Sequence, residues 1–182
     1  ARRKQFVAER GSAFFPAAPA PIYALLARLS RPICVAGYCA MSHEPDIGPL
    51  LTEIEDLGAK LALPWVGADG SAMIFRQWSS GATLEMAASK FRQPLPSADT
   101  VVPDMILIPL LGFDRRGNRL GQGAGYYDRT LAMQSTALRI GIAWSVQEFP
   151  DIPTDTWDMP LDAILTDAEW IIPAHSRCAK DS

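Results

Sequence analysis

The chain has 182 residues with a formal net charge of −3, 48% of them hydrophobic and 20% charged. That length suits one domain whose core needs no staples, and the composition is that of an ordinary soluble globule. The acidic balance argues against a nucleic-acid binder, which carries a basic excess, and the apolar runs break off well before the roughly twenty residues that span a bilayer.

In chain order, residues 3–11 predict a short basic helix, 14–21 a stiff connector rich in proline, and 21–29 a second helix entered through Pro21. Residues 32–38 predict a buried strand and 42–46 a polar loop with Asp46 as N-cap of a helix that Gly58 ends. Strands follow over 60–66 and 73–78, joined by a turn at 68–71; then come a short helical or irregular stretch over 84–90 and a surface excursion over 94–103. The most hydrophobic run, 105–111, has the continuity of a central parallel strand. Further strands are predicted over 138–144 and 163–166. Strands alternating with helical segments imply an α/β sandwich. Three polar stretches, 42–46, 113–125 and 145–158, each follow a strand, and ligands of parallel sheets bind beyond the strands' carboxyl ends, so one shared cleft is predicted.

Cys34, Cys39 and Cys178 are odd in number and lack CxxC spacing, which indicates neither a disulfide framework nor a thiolate metal site, and points to a reducing cytoplasm. His43 and His175 lack metal-ligand spacing and read as ordinary polar residues, with His43 bordering any site that includes Glu44. The N-terminus lacks a signal-peptide pattern; it opens Ala-Arg-Arg-Lys without an initiator methionine, so further residues are expected before Ala1.

Residues 109–128 carry the strongest local signal. An apolar run gives way to Gly121, Gly123 and Gly125 and then to Tyr126 and Tyr127, as if a strand stops, a loop wraps an anion with its amides, and a helix starts. Arg115, Arg116 and Arg119 bring positive charge to the same place, which suits a nucleotide or another small polyanion. Glycines equally serve ordinary tight turns, and on their pattern alone both readings stand. A Walker loop is set aside because no Lys-Ser or Lys-Thr follows, and a dinucleotide-fold loop because the glycines alternate.

Taken whole, Phe113-Asp114 followed by Gly117-Asn118-Arg119-Leu120-Gly121-Gln122-Gly123-Ala124-Gly125-Tyr126-Tyr127-Asp128 resembles the signature of the 5-formyltetrahydrofolate cyclo-ligase family, also called methenyltetrahydrofolate synthetase. The similarity extends through residues 38–44, Leu63-Pro64, 106–111 and Trp157-Asp158-Met159-Pro160-Leu161-Asp162. The resemblance implies a three-layer α/β/α sandwich with a mainly parallel central sheet. It also implies an ATP- and magnesium-dependent closure of 5-formyltetrahydrofolate to 5,10-methenyltetrahydrofolate, with release of ADP and phosphate.

Carried onto this sequence, the resemblance implies catalytic roles for Arg119 and Tyr127. ATP contacts fall on Arg3, Arg119, Leu120 and Gly121, and continue through Gln122, Gly123, Ala124, Gly125, Tyr126 and Tyr127. Substrate contacts fall on Cys39 and Glu44, and again on Gln122, Gly123, Ala124, Gly125 and Tyr126. Magnesium is assigned to Asp128 and Asp158. Arg10 follows Arg3 by seven positions as in the family, while the family's preceding lysine would lie before Ala1. Gln122 and Ala124 stand where some relatives carry a basic residue, so Arg115 or Arg116 is expected to compensate.

Each residue also has a plainer reading. The plainer reading of Arg119 is a surface arginine, of Asp128 a carboxylate favoured by a helix dipole, and of Glu44 a loop acid beside Asp46. Asp158 has Asp151, Asp155 and Asp162 as competitors in a solvated acidic loop. Tyr126, Tyr127 and Trp78 enclose a flat pterin or simply fill a core. The expectation for the whole chain is a single-domain, monomeric, cytoplasmic ligase taking 5-formyltetrahydrofolate and ATP, with no nucleic-acid or membrane partner. The alternatives are a non-catalytic relative that keeps nucleotide or folate binding, and an α/β enzyme acting on a sugar phosphate or acyl thioester.

Overall fold

A computed structural model of the chain describes residues 2–10, 20–27, 33–41, 43–67, 73–88, 91–121, 126–134, 136–155 and 158–179. Helices α1 (Arg2–Arg10) and α2 (Ala20–Ala27) precede strand β1 (Cys34–Ala36) and helix α3 (Gly48–Asp56). Strands β2 (Lys60–Trp65), β3 (Ile74–Trp78), β4 (Leu84–Met86), β5 (Arg92–Pro94), β6 (Thr100–Val101) and β7 (Met105–Pro109) follow. Then come β8 (Gly112–Phe113), β9 (Arg119–Leu120), helix α4 (Tyr126–Met133), β10 (Leu138–Ile142), β11 (Ala163–Leu165) and β12 (Trp170–Ile171).

The main sheet has the order β12-β11-β10-β7-β1-β2-β3-β6. The five strands from β11 to β2 are mutually parallel; β12 and β3 run antiparallel to them on either side, and β6 pairs antiparallel with β3 at the outer edge. The middle is parallel because it is covered on both faces. Met105 and Leu107 of β7 point into one core with Ile22, Leu50 and Ile54 of α2 and α3, while Ile106 and Ile108 point into a second core with Leu131 of α4. All four β7 residues are fully buried, which is why the run shows no polar alternation. Two helical layers on one sheet make the three-layer α/β/α sandwich.

Several local expectations change. The stretch 84–90 holds the strand β4, paired antiparallel with β5, and the excursion 94–103 contributes β6 to the edge of the main sheet through β3. Residues 113–125 are not one loop, since β8 and β9 form a small antiparallel hairpin. Asp46 is not the N-cap of α3; Ile47 holds that place, and Asp46 Oδ1 accepts the Gly48 N–H at 3.0 Å one step earlier. Gly58, with φ of +92°, does end α3. Most of the 14–21 connector, the 68–71 turn, Trp157 and Gln122 to Gly125 lie outside the described residues. Cys34, Cys39 and Cys178 are thiols rather than disulfides. Among the described residues no helix is long and apolar enough to cross a membrane.

Candidate active site

The sheet order turns back at β1. The chain proceeds from β1 to β2 on one side, then returns to lay β7 on the other side of β1, so the loops after β1 and β7 leave in opposite directions and open a crevice between them.

The loop after β1 is tightly specified. At Gly37 a Cβ would lie 2.7 Å from Leu51 Cδ1, so glycine lets α3 close onto the strand end. Tyr38 Oη donates to the Pro45 carbonyl at 2.9 Å, and the Met41 N–H donates to Glu44 Oε2 at 2.8 Å. His43 sits in the left-handed region with φ of +73°, a strained place for a side chain that a turn must impose. That turn brings Glu44 inward until it is 3% exposed. A cleft of about 360 Å³ opens beside it, lined by Cys39, Glu44, Leu63, Trp78 and Arg92 among others.

The loop after β7 is organised by Asp114, which is 1% exposed. Its carboxylate accepts the backbone N–H of Arg116 at 2.9 Å, of Asn118 at 3.1 Å and of Ile152 at 3.1 Å, and the Asn118 side-chain amide at 2.8 Å. Burial pushes the Asp114 carboxyl up, but these donors, led by Asn118, outweigh it and hold it below the ordinary value. The hairpin turn needs Gly117, whose φ is +85° and whose Cβ would meet the Leu161 carbonyl and Pro173 Cγ, each at 2.9 Å. Gly117→Ala is therefore expected to cost about 2–4 kcal/mol in denaturant unfolding, left-handed strain and overpacking adding together.

Beyond the hairpin, Gly121 has no positive φ, and among the described residues a Cβ there would meet only Arg119 Nη1 at 3.5 Å, an ordinary contact. Among the described residues, therefore, neither backbone conformation nor packing explains this glycine, which lies beside a guanidinium. Tyr127 enters from the first turn of α4. Burial pushes its phenol well up, the negative charge of Glu44 pushes it further, Arg119 opposes this, and Cys39 acts in the same sense as Glu44. Three of the sequence-predicted residues, Glu44, Arg119 and Cys39, thus bear electrostatically on the hydroxyl of a fourth. The phenol stays protonated and donates rather than abstracts.

The third polar stretch closes the group. Trp144 Nε1 donates to the His43 carbonyl at 3.1 Å, and the Trp144 ring lies 5.3 Å from that of Phe6 on α1, the helix that carries Arg3. Gln147, 2% exposed, donates to the Leu110 carbonyl at 2.6 Å and accepts the Trp144 N–H at 2.8 Å. All three polar stretches therefore meet, as their positions after strands predict.

Arg115 and Arg116, expected to compensate at the phosphate site, are each engaged by carboxylates. Arg115 is held by Glu148 and Glu169, and Arg116 by Asp114 and Asp151, which ties the hairpin tip to its neighbours. Asp162 is likewise committed: it is 2% exposed and accepts from the Arg139 N–H at 2.8 Å and from Arg177 Nε at 2.7 Å. Burial raises its carboxyl, while Arg177, the Arg139 N–H and both guanidinium charges lower it further, and the net direction is down.

Depressed folded values for Asp114 and Asp162 mean that their stabilisation is complete above the unfolded carboxylate value of about 3.9 and is lost as pH falls from there through the folded values. Unfolding free energy should fall steeply below about pH 4, and Asp162→Asn should flatten that slope.

Asp158 is half-buried, with Oδ2 accepting the Asp155 N–H at 2.8 Å. Its other oxygen makes no hydrogen bond among the described residues. Magnesium takes oxygen ligands and keeps several waters, so one or two carboxylates beside phosphate oxygens suffice, and Asp158 fits that donor chemistry. Among the described residues no three acidic, histidine or cysteine side chains group as a closed metal cage. Leu120 is exposed on β9. Asp128 and Tyr126 lie in the first turn of α4 and Arg3 on α1, with side chains outside the described ones. Sequence reasoning missed the organising roles of Asp114 and Gln147 and the place of Arg92. A buried-type glutamine just after a strand end was the available signal for Gln147.

Comparison with known proteins places the chain in a family. Residues 23–167 match the family model described as the 5-formyltetrahydrofolate cyclo-ligase family. A 5-formyltetrahydrofolate cyclo-ligase of Escherichia coli (strain K12) is 30% identical over 146 residues, covering 75% of this chain and 80% of the relative. That of Mycolicibacterium smegmatis is 34% identical over 146 residues, covering 76% and 75%. The solution structure of the 5,10-methenyltetrahydrofolate synthetase of Aquifex aeolicus superposes with a TM-score of 0.68 at 31% identity, over 87% of this chain and 82% of the other. A structure of the 5,10-methenyltetrahydrofolate synthetase from Mycoplasma pneumoniae gives 0.59 at 27% identity, over 89% of this chain and 94% of the other. With matching sequence along most of its length and the same sandwich, the chain belongs to the 5-formyltetrahydrofolate cyclo-ligase family and is a ligase.

Proposed function

We propose that this chain uses ATP to close 5-formyltetrahydrofolate to 5,10-methenyltetrahydrofolate, releasing ADP and phosphate. The observation that carries this reading is the match of residues 23–167 to the family model, and the charges of Glu44 and Arg119 both bear on the Tyr127 hydroxyl.

A formamide oxygen is a poor leaving group. Transfer of the γ-phosphoryl group to that oxygen makes the formyl carbon electrophilic and the oxygen a leaving group. N10 then attacks the carbon, loses its proton to solvent or phosphate, and phosphate departs to leave the methenyl bridge. The protein's task is positioning and charge neutralisation.

Arg119 offers a planar cationic fork to the phosphate charge, and Gly121, with no side chain, allows close approach of phosphate oxygens. Glu44 is a buried acceptor suited to the amino and ring N–H donors of a pterin, with Trp78 along the same cleft. The protonated Tyr127 supplies a donor beside both. Asp158 and Asp128 would hold magnesium, which supplies neutralisation of the phosphate oxygens when bound.

Purified protein with MgATP and 5-formyltetrahydrofolate should produce the near-ultraviolet band of methenyltetrahydrofolate. No ATP-dependent rise would sink the reading, and ligand binding without product would favour the non-catalytic alternative.

A further inference from the structure

We propose that Arg92 binds the glutamate carboxylates of the folate and so sets how strongly the enzyme prefers substrates that carry this tail. The inference rests on the proposed function and adds a specificity residue to the same cleft.

The cleft is chemically mixed. Among its lining residues Glu44 is a buried acceptor, Leu63 and Trp78 are apolar, and Arg92 is an exposed guanidinium. A reduced folate has matching polarity, with amine and ring N–H donors on the pterin and carboxylates on the glutamate. A planar guanidinium fork recognises a carboxylate with two parallel hydrogen bonds, which a lysine cannot reproduce.

Arg92 is free for that task. Among the described residues its side chain makes no hydrogen bond and no ion pair, in contrast to Arg115, Arg116, Arg139 and Arg177, each of which is tied to a carboxylate. Asp46, the other acid on the cleft, spends Oδ1 on the Gly48 N–H.

Its backbone is also held in place. The next residue, Gln93, is 3% exposed; its Oε1 accepts the Val66 N–H at 3.1 Å just past the end of β2, and its Nε2 donates to Glu85 at 2.9 Å across the β4–β5 pair. A buried clamp at 93 thus presents the exposed side chain at 92 to the cleft. Arg92 already exerts its charge on Cys39, which lines the same space.

The test compares three substrates: 5-formyltetrahydrofolate, its triglutamate, and 5-formyltetrahydropteroate, which lacks glutamate. Arg92→Gln should raise KM about tenfold for the two tailed substrates and less than about twofold for the tail-less one, with kcat little altered; Arg92→Glu should raise the tailed KM further. The preference of the unsubstituted enzyme for tailed substrates should shrink as salt rises. Equal effects of Arg92→Gln on all three substrates would overturn the proposal. Dissociation constants measured by calorimetry keep the two claims separate. No turnover with a tail-dependent loss of binding would defeat the reaction and leave Arg92 standing, whereas turnover with no such loss would defeat Arg92 alone.

Discussion

Arg119→Ala is expected to lower turnover by about 10²–10³-fold, the loss seen when a preorganised charge partner is removed from a reacting centre. The guanidinium is the cation whose charge reaches the Tyr127 hydroxyl against that of Glu44, and its Nη1 lies beside Gly121. Arg119→Lys should recover only part of the rate, since an ammonium keeps the charge and loses the planar fork. A rise in the ATP dissociation constant with little change in folate binding is the expected signature. Unchanged turnover in Arg119→Ala would remove this residue from the phosphate site, whatever the enzyme's reaction.

Asp114→Ala should have the largest effect on stability, about 3 kcal/mol in urea unfolding, because it strips a buried acceptor from several N–H donors at once. A functional loss should accompany it. Asp114 fixes the hairpin from which Arg119 projects and ties that hairpin to Ile152 in the next loop, so a shift of about 1 Å at the guanidinium is enough to cost on the order of 10²-fold in rate. Asp114→Asn keeps the shape and one acceptor oxygen and should recover much of the stability. An Asp114→Ala protein as stable as the parent would show that water replaces the carboxylate at no cost.

Much of the fold was legible because burial leaves its mark on composition. Residues 105–111 read as a central strand, of which 105–109 form β7, since both faces are covered, and α3 read as a helix since Leu50, Leu51 and Ile54 form one apolar stripe that Gly58 ends. The short strands β4, β6, β8 and β9 were not legible. Two or three residues hold no periodicity, and each becomes a strand only through a partner, as Leu84 does opposite Pro94.

The candidate site divides in the same way. The glycines and arginines of one contiguous string carry a local signal for an anion, whereas the roles given to Glu44, Arg119 and Tyr127 came from the family resemblance. Which charges remain available could not be named. Arg115 and Arg116 looked as useful as Arg119 until Glu148, Glu169 and Asp151 arrived from distant segments to engage them, and Asp162 rivalled Asp158 until Arg177 claimed it. Arg92 carried no signal at all, since its importance lies in a cleft wall and in a side chain that makes no ion pair among the described residues.

The order of residues by itself determined the alternation of strands and helices, the anion-suited glycine loop and the family likeness, because these depend on neighbours along the chain. Only the tertiary structure decided that the loops after β1, β7 and β10 are bonded into one group through Trp144, Gln147 and Asp114, and which ionic groups are spent on holding it together. Charge pairing and burial are settled by distance in space, and segments far apart in sequence set that distance.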